Sequence, residues 1–316
     1  MTKVLFSVPI KDYQLEEFKR NFPQVEFMVE KEQSREKLLP LADIWVTYGF
    51  DIKEGEIEDA DNLKWIMAYS AGVDKLPAIE IIKKNILVTN VSGIHRHAIA
   101  EQVFTYMLYH VRKFSELCKQ QKNGEWNRRI KADSLYGKTI GIIGVGAIGK
   151  EIARKAKAFD MKVLGVRRSG EKTDFVDEIF PMEGFHRVLG ESDYVVMVLP
   201  LTSETKHIMD REAFRAMKEN SYFINIARGE VVDTKALIWA LKENIIGGAG
   251  LDVFEEEPLP KDHPLRYLEN VLITPHVAGI FPGYIARANE ILNHNLGVYI
   301  ENAGEMINIV NIKRGY

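Results

Sequence analysis

Three residues far apart in the chain, Arg228, Glu257 and His276, each follow a short apolar run: SYFINIA leads to Arg228, GGAGLDVF to the acidic stretch ending at Glu257, and NVLIT to His276. A guanidinium, a carboxylate and an imidazole in one place can reduce a carbonyl with an external hydride. A charged imidazole can deliver the proton to the carbonyl oxygen near neutral pH. A carboxylate on the second ring nitrogen fixes the tautomer and favours the imidazolium. The planar fork of an arginine can grip a carboxylate or polarise the carbonyl. Taken singly, each residue has a plainer structural reading; the case rests on the three together. Glu255 and Glu256 are read as solvated neighbours, and His110, His186, His207, His263 and His294 as structural or surface residues.

A second constellation is Gly144, Gly146 and Gly149, a G-x-G-x-x-G directly after TIGII and directly before the helical pattern AIGKEIARKAKAF. In that setting each glycine has a physical reason to be there. Gly144 allows the tight turn, Gly146 lets backbone approach a pyrophosphate, and Gly149 lets the helix pack on the strand. Amides of the helix N-terminus then face the phosphates. The next strand, MKVLGV, ends in Arg167, Arg168 and Ser169, with no acidic residue at the expected spacing of about 20 residues to hold ribose hydroxyls. Two guanidiniums and a hydroxyl suit a 2'-phosphate, so NADP is the expected cofactor, with NAD as the open alternative.

These residues need strands to carry them. VLFSV, VEFMV, DIWVTYG, LKWIMAYS and ILVTNV form one array of short β-branched runs between amphipathic stretches, and KTIGIIG, MKVLGV, DYVVMVLP, SYFINIA, GGAGLDVF and NVLITPH form another. Runs apolar on both faces predict parallel sheets covered by helices, hence an α/β fold. Residues just past the carboxyl ends of such strands meet at the ligand crevice, so the trio is expected to share one mouth. A buried helix is predicted from Ala98 to Cys118, a polar surface connection over QQKNGEWNRR, and a terminal helix over 285–302 followed by the short run MINIVNI.

Together GIIGVGAIG, VLPLTSET, INIARGEVVD, GLDVFEEEPLP and ITPHVAG resemble the D-isomer-specific 2-hydroxyacid dehydrogenase family, and SAGVDKLP with NVSGIHRHAIAE extends the resemblance into the first half. The resemblance implies a substrate-binding arginine at Arg228, its histidine acid/base at His276, the histidine's partner at Glu257, and an aspartate near the nicotinamide carboxamide at Asp252. It implies further cofactor contacts at Ala147, Ile148, Pro200, Thr205 and Ala227. Substrate carboxylate binding falls to the turn of Ala71, Gly72 and Val73, and His95 and His97 border that pocket as candidates. A Rossmann dinucleotide-binding domain over 99–285, inserted in a flavodoxin-like substrate domain of 1–98 and 286–316, is implied. So is a homodimer.

The 316 residues suit two domains, and 42 Lys plus Arg against 45 Asp plus Glu leave a net charge of -3, which gives no reason to expect nucleic acid or an anionic membrane as partner. The lone Cys118 excludes an internal disulfide framework, no metal-ligand spacing is present, and no apolar run suits a signal peptide or membrane span, so a cytoplasmic setting is expected. The expected reaction is reduction of a small 2-oxo acid, such as glyoxylate or hydroxypyruvate, to the D-2-hydroxy acid. The alternatives are a short-type phosphoglycerate dehydrogenase, or a non-catalytic NAD(P)-sensing protein resembling corepressors built on this scaffold. A formate dehydrogenase is disfavoured because Glu257 is acidic.

Overall fold

The computed structural model describes residues 1–30 and 35–314. The chain divides into two compact units, Met1–Ile94 with Phe281–Tyr316, and His95–Ile280. The division falls a few residues before the sequence-based bounds at 98/99 and 285/286.

In the first unit, β1 (Thr2–Phe6), β2 (Val25–Val29), β3 (Ile44–Thr47), β4 (Trp65–Ala68) and β5 (Leu87–Asn90) form an all-parallel sheet in the order β2-β1-β3-β4-β5. Side chains alternate along each strand: Val4 and Phe6 join one core with Ile44, Val46, Trp65 and Met67, while Leu5 joins the opposite core with Trp45 and Ile66. That is the period-2 pattern of a sheet covered on both faces. The helix Tyr284–Glu301 buries Ala288, Leu292 and Leu296, one stripe at four-residue spacing, in the first of these cores. Its buried Asn295 bonds both ways with Ile307, and the run after it lies antiparallel against β5, with Asn90 N donating to Asn308 O and Val310 N to Val88 O. An otherwise open strand edge is thereby covered.

The second unit carries seven parallel strands, β6 (Thr139–Ile143), β7 (Lys162–Val166), β8 (Glu178–Phe180), β9 (Tyr194–Met197), β10 (Tyr222–Asn225), β11 (Gly248–Leu251) and β12 (Val271–Ile273), in the order β12-β11-β10-β9-β6-β7-β8. The order reverses at β6, between β9 and β7, which is the switch point of a doubly wound dinucleotide-binding sheet. Val195 and Met197 face one core, with Phe214, Phe223 and Leu237; Tyr194 and Val196 face the other, with Met107, Ile142 and Ile152. The two-domain α/β architecture expected from the sequence is present.

Two details differ from expectation. The helix predicted over 98–118 is two helices, Arg96–Val111 and Phe114–Asn123, because Lys113 takes left-handed dihedrals (φ 57°, ψ 40°) that no glycine or proline announces. The second of them takes in the start of the stretch predicted as a surface connection. The edge strand β8 has no counterpart among the predicted runs; three half-buried residues, Glu178, Ile179 and Phe180, are too short a run to declare a period.

Candidate active site

The strand ends place the chemistry. Arg228, Asp252, Glu257, His276 and the glycine loop all follow the carboxyl ends of parallel strands, so they share one edge of the seven-stranded sheet. Arg228 lies after β10, Glu257 after β11 and His276 after β12, and these three strands are neighbours. The loops touch: a Cβ on Gly229 would lie 1.9 Å from the Phe254 carbonyl carbon and 2.2 Å from Glu255 N. Only a glycine lets the Arg228 loop approach the Glu257 loop this closely.

His276 Nδ1 lies 2.8 Å from Glu257 Oε2. With the Nδ1 proton donated to the carboxylate, Nε2 is the ring atom available for proton transfer. Glu257 is itself held, since its Oε1 accepts a 2.9 Å bond from Phe254 N. The His276 backbone is left-handed (φ 55°), a conformation that costs free energy and has to be imposed by its surroundings. Its amide donates to Asp252 O at 2.8 Å, and the next two amides, Val277 N and Ala278 N, donate to Asp252 Oδ1 and Oδ2, each at 2.9 Å. The Asp252 carboxylate, 2% exposed, thus holds the His276 turn from inside.

Arg228 is anchored at its backbone by the buried Asn225, whose Nδ2 donates to Arg228 O and whose Oδ1 accepts from Ala227 N. Its Nη1 donates to Ala227 O at 2.8 Å, so Ala227 serves the arginine within this unit. His95 lies next to it. Burial, reinforced by the Arg228 charge, pushes the His95 ring down to about 4, so at neutral pH it is an uncharged neighbour of the guanidinium. His97, the other histidine of that motif, pairs instead with the buried Glu151 at 3.1 Å. Glu151 is held down at about 2 by its hydrogen bonds from Arg154 and then His97, against the opposing effect of burial.

The glycine motif has the form a pyrophosphate needs. Gly144 is left-handed (φ 109°), and a Cβ there would lie 2.8 Å from the Val198 backbone; a Cβ on Gly149 would lie 2.4 Å from Gly144 O. Beside Gly146, by contrast, there is open space, with nothing within 4 Å of a Cβ built on it. The helix Ala147–Ala158 starts at Gly146 without a side-chain cap, so its first amides remain for an anion. These residues fit a dinucleotide. Thr205 does not offer its hydroxyl freely: it donates to Pro200 O at 2.7 Å and accepts from Thr202 N at 2.8 Å, shaping the loop that also contains Pro200.

At the end of β7, Glu171 meets the predicted phosphate-binding residues. Its Oε2 lies 3.6 Å from Arg167 Nη1 and 3.2 Å from Ser169 Oγ. In the first unit, the turn of Ala71, Gly72 and Val73 is tied by Ser70 Oγ donating to Gly72 O and Asn90 Nδ2 to Ala71 O, both at 2.8 Å.

The profile of the D-isomer specific 2-hydroxyacid dehydrogenase NAD binding domain matches residues 104–278. A glyoxylate reductase of Pyrococcus furiosus is 41% identical over 263 residues, covering 78% of this chain and 77% of the relative. The chain belongs to the D-isomer-specific 2-hydroxyacid dehydrogenase family. Among solved structures, a family member from Aeromonas salmonicida superposes with a TM-score of 0.88 at 30% identity, covering 98% and 99% of the two chains. An NADPH-dependent glyoxylate/hydroxypyruvate reductase from Sinorhizobium meliloti, solved with NADP and sulfate, gives 0.84 at 26% identity and full coverage of both. The protein is therefore a nicotinamide-dependent oxidoreductase of the 2-oxo acid and 2-hydroxy acid class.

Several residues that shape this dehydrogenase's site are not evident from the sequence. Glu255, read as solvated, is hydrogen-bonded with His207 Nε2 at 2.6 Å, which ties down the loop carrying Glu257. Asn225 left a signal, a polar residue inside an apolar strand; Glu255 and Glu171 left none, because their partners are distant or ordinary surface charges. Among the described residues no His, Cys, Asp and Glu group could hold a metal ion, and no helix is long and apolar enough to cross a membrane.

The buried imidazoles give the dehydrogenase a pH signature. Burial, with Lys113 adding, holds His110 at about 4, like His95, against an ordinary 6.5. Above pH 6.5 neither folded nor unfolded chain protonates these rings; below it the unfolded chain takes up protons that the folded chain refuses. Stability should fall as pH drops from 6.5 to 4 and level off below, by on the order of 1–3 kcal/mol per ring. Chemical unfolding at stepped pH checks this. His110→Phe keeps the stacking on Tyr222, whose ring lies 4.2 Å away, and should flatten the slope; an unchanged slope would remove His110 as a source of the pH dependence.

Proposed function

We propose that this dehydrogenase reduces glyoxylate and hydroxypyruvate to the D-2-hydroxy acid, with NADPH preferred and NADH accepted. The observation that carries the reading is the His276–Glu257 pair, 2.8 Å apart, at the same sheet edge as Arg228 and the glycine loop. His276 Nε2 delivers the proton to the substrate's carbonyl oxygen, and Glu257 fixes the ring and its tautomer. Arg228 grips the 2-oxo acid and polarises the carbonyl. The bound nicotinamide supplies the hydride for the carbonyl carbon. The relatives named above, glyoxylate and glyoxylate/hydroxypyruvate reductases, support the substrate class. Initial rates at the reduced-nicotinamide absorbance band with glyoxylate, hydroxypyruvate and pyruvate test it: the two named substrates should lead, and a preference for pyruvate would overturn the assignment.

The NADPH preference rests on Arg167, Arg168 and Ser169, and Glu171 qualifies it. A carboxylate on Arg167 and Ser169 competes with a 2'-phosphate and can serve the ribose hydroxyls of NADH, so both cofactors should be used. Arg167→Asp with Arg168→Ala should shift the NADPH/NADH ratio of kcat/KM toward NADH by roughly tenfold or more, the loss of at least one charge-assisted contact. Glu171→Gln should shift it the other way. Unchanged ratios in both would show that the 2'-phosphate is read elsewhere.

A homodimer in the cytoplasm completes the proposal. The helix Phe114–Asn123 buries no residue within the chain, and Phe114 and Leu117 on it and Trp126 just after it are exposed, which supports a second copy as the cover. Light scattering in solution should give twice the mass of 36.1 kDa; a monomer at all concentrations would refute it.

A further inference from the structure

Tyr106 is fully buried in the helix Arg96–Val111, yet its hydroxyl reaches the end of β12. The ring lies against β11 where only a glycine fits, since a Cβ on Gly250 would be 2.5 Å from Tyr106 Cγ. From the hydroxyl a line of hydrogen bonds runs to the His276 turn. The Tyr106 hydroxyl bonds Thr274 Oγ1. Thr274 Oγ1 donates to Asp252 Oδ1 at 2.5 Å, and the Asp252 carboxylate receives the amides of Val277 and Ala278.

The direction of the protons is set by chemistry. Thr274 has a single hydroxyl proton and gives it to Asp252, so its oxygen accepts from the Tyr106 O–H. Every donor in the line therefore points toward Asp252. We propose that Tyr106 is a positioning residue for His276: through Thr274 and Asp252 it fixes the turn whose left-handed backbone at His276 positions the imidazole. A phenylalanine would fill the same space, so the hydroxyl has no packing role; a buried hydroxyl is tolerated because it is bonded. Burial raises Tyr106 to about 12, so it remains an O–H donor throughout the working range of the enzyme. The proposal rests on His276 being the acid of the reaction.

Tyr106→Phe keeps the ring and removes the link. Its kcat should fall roughly tenfold, as for a small misplacement of a catalytic group, with KM for the oxo acid and affinity for NADPH unchanged. Thr274→Val should act alike, and the double variant should be no worse than either alone, because both cut one chain. Thr274→Ser, which restores the hydroxyl, should recover most of the rate. Hydrogen exchange of the peptide covering 274–278 should quicken in Tyr106→Phe while that covering 222–225 does not change. Wild-type kcat in Tyr106→Phe, or a loss shared equally by cofactor affinity, would overturn the proposal. Faster exchange at 274–278 in a protein whose wild type turns over no 2-oxo acid would leave the tether standing and defeat the proposed function instead. Unchanged exchange there would defeat the tether.

Discussion

His276→Ala is expected to lower kcat by roughly 100- to 10,000-fold, the usual contribution of a positioned general acid, with NADPH binding retained. The imidazole is the one group in the trio that can change its proton count near neutral pH without a large shift. Its ring is half exposed and bonded to Glu257 only through Nδ1, so removing it takes away the donor and leaves the sheet untouched. His276→Gln should fare no better, because an amide can donate a hydrogen bond but cannot surrender a proton to an alkoxide. Single-turnover kinetics separate the effect from binding. A variant with wild-type rate would show that another group or a water supplies the proton.

Gly229→Ala should be the most damaging single methyl group in the site. The added Cβ would sit 1.9 Å from the Phe254 carbonyl carbon and 2.1 Å from its oxygen, backbone against backbone, with no flexible side chain to yield. Overpacking of this kind costs about 3 kcal/mol or more, and for a domain of this size the melting temperature should drop by roughly 5–10 °C. The damage is also functional, because relief requires the Arg228 loop and the Glu257 loop to part. Both kcat and Tm should therefore fall, with the loss of kcat persisting well below Tm. Retention of both would mean that the loops are not held at this distance.

The architecture was legible in the sequence because its strands are short, β-branched and apolar on both faces, and because each glycine of the phosphate loop has one conformational reason to exist. Arg228, Glu257 and His276 were legible for a topological reason: in a parallel sheet, whatever follows a strand's carboxyl end arrives at the same edge. What stayed hidden depends on partners distant in sequence. The engagement of the Asp252 oxygens with Thr274, Val277 and Ala278 is one such case. The role of Tyr106 was masked because a tyrosine in an apolar helix reads as one more core aromatic. The helix break at Lys113 lacks any residue that favours it, and Glu171 looks like a surface charge until the turn after β7 folds it onto Arg167.

Chiral analysis of the product formed from hydroxypyruvate, with oxidised cofactor counted alongside, bears most directly on the claim that this guanidinium, imidazole and carboxylate perform the reduction. D-glycerate should appear in one-to-one ratio with NADP formed, and the rates of both should fall together, roughly 100- to 10,000-fold, in His276→Ala. L-glycerate, or cofactor that binds tightly but is never oxidised by this or any other 2-oxo acid, would contradict that claim.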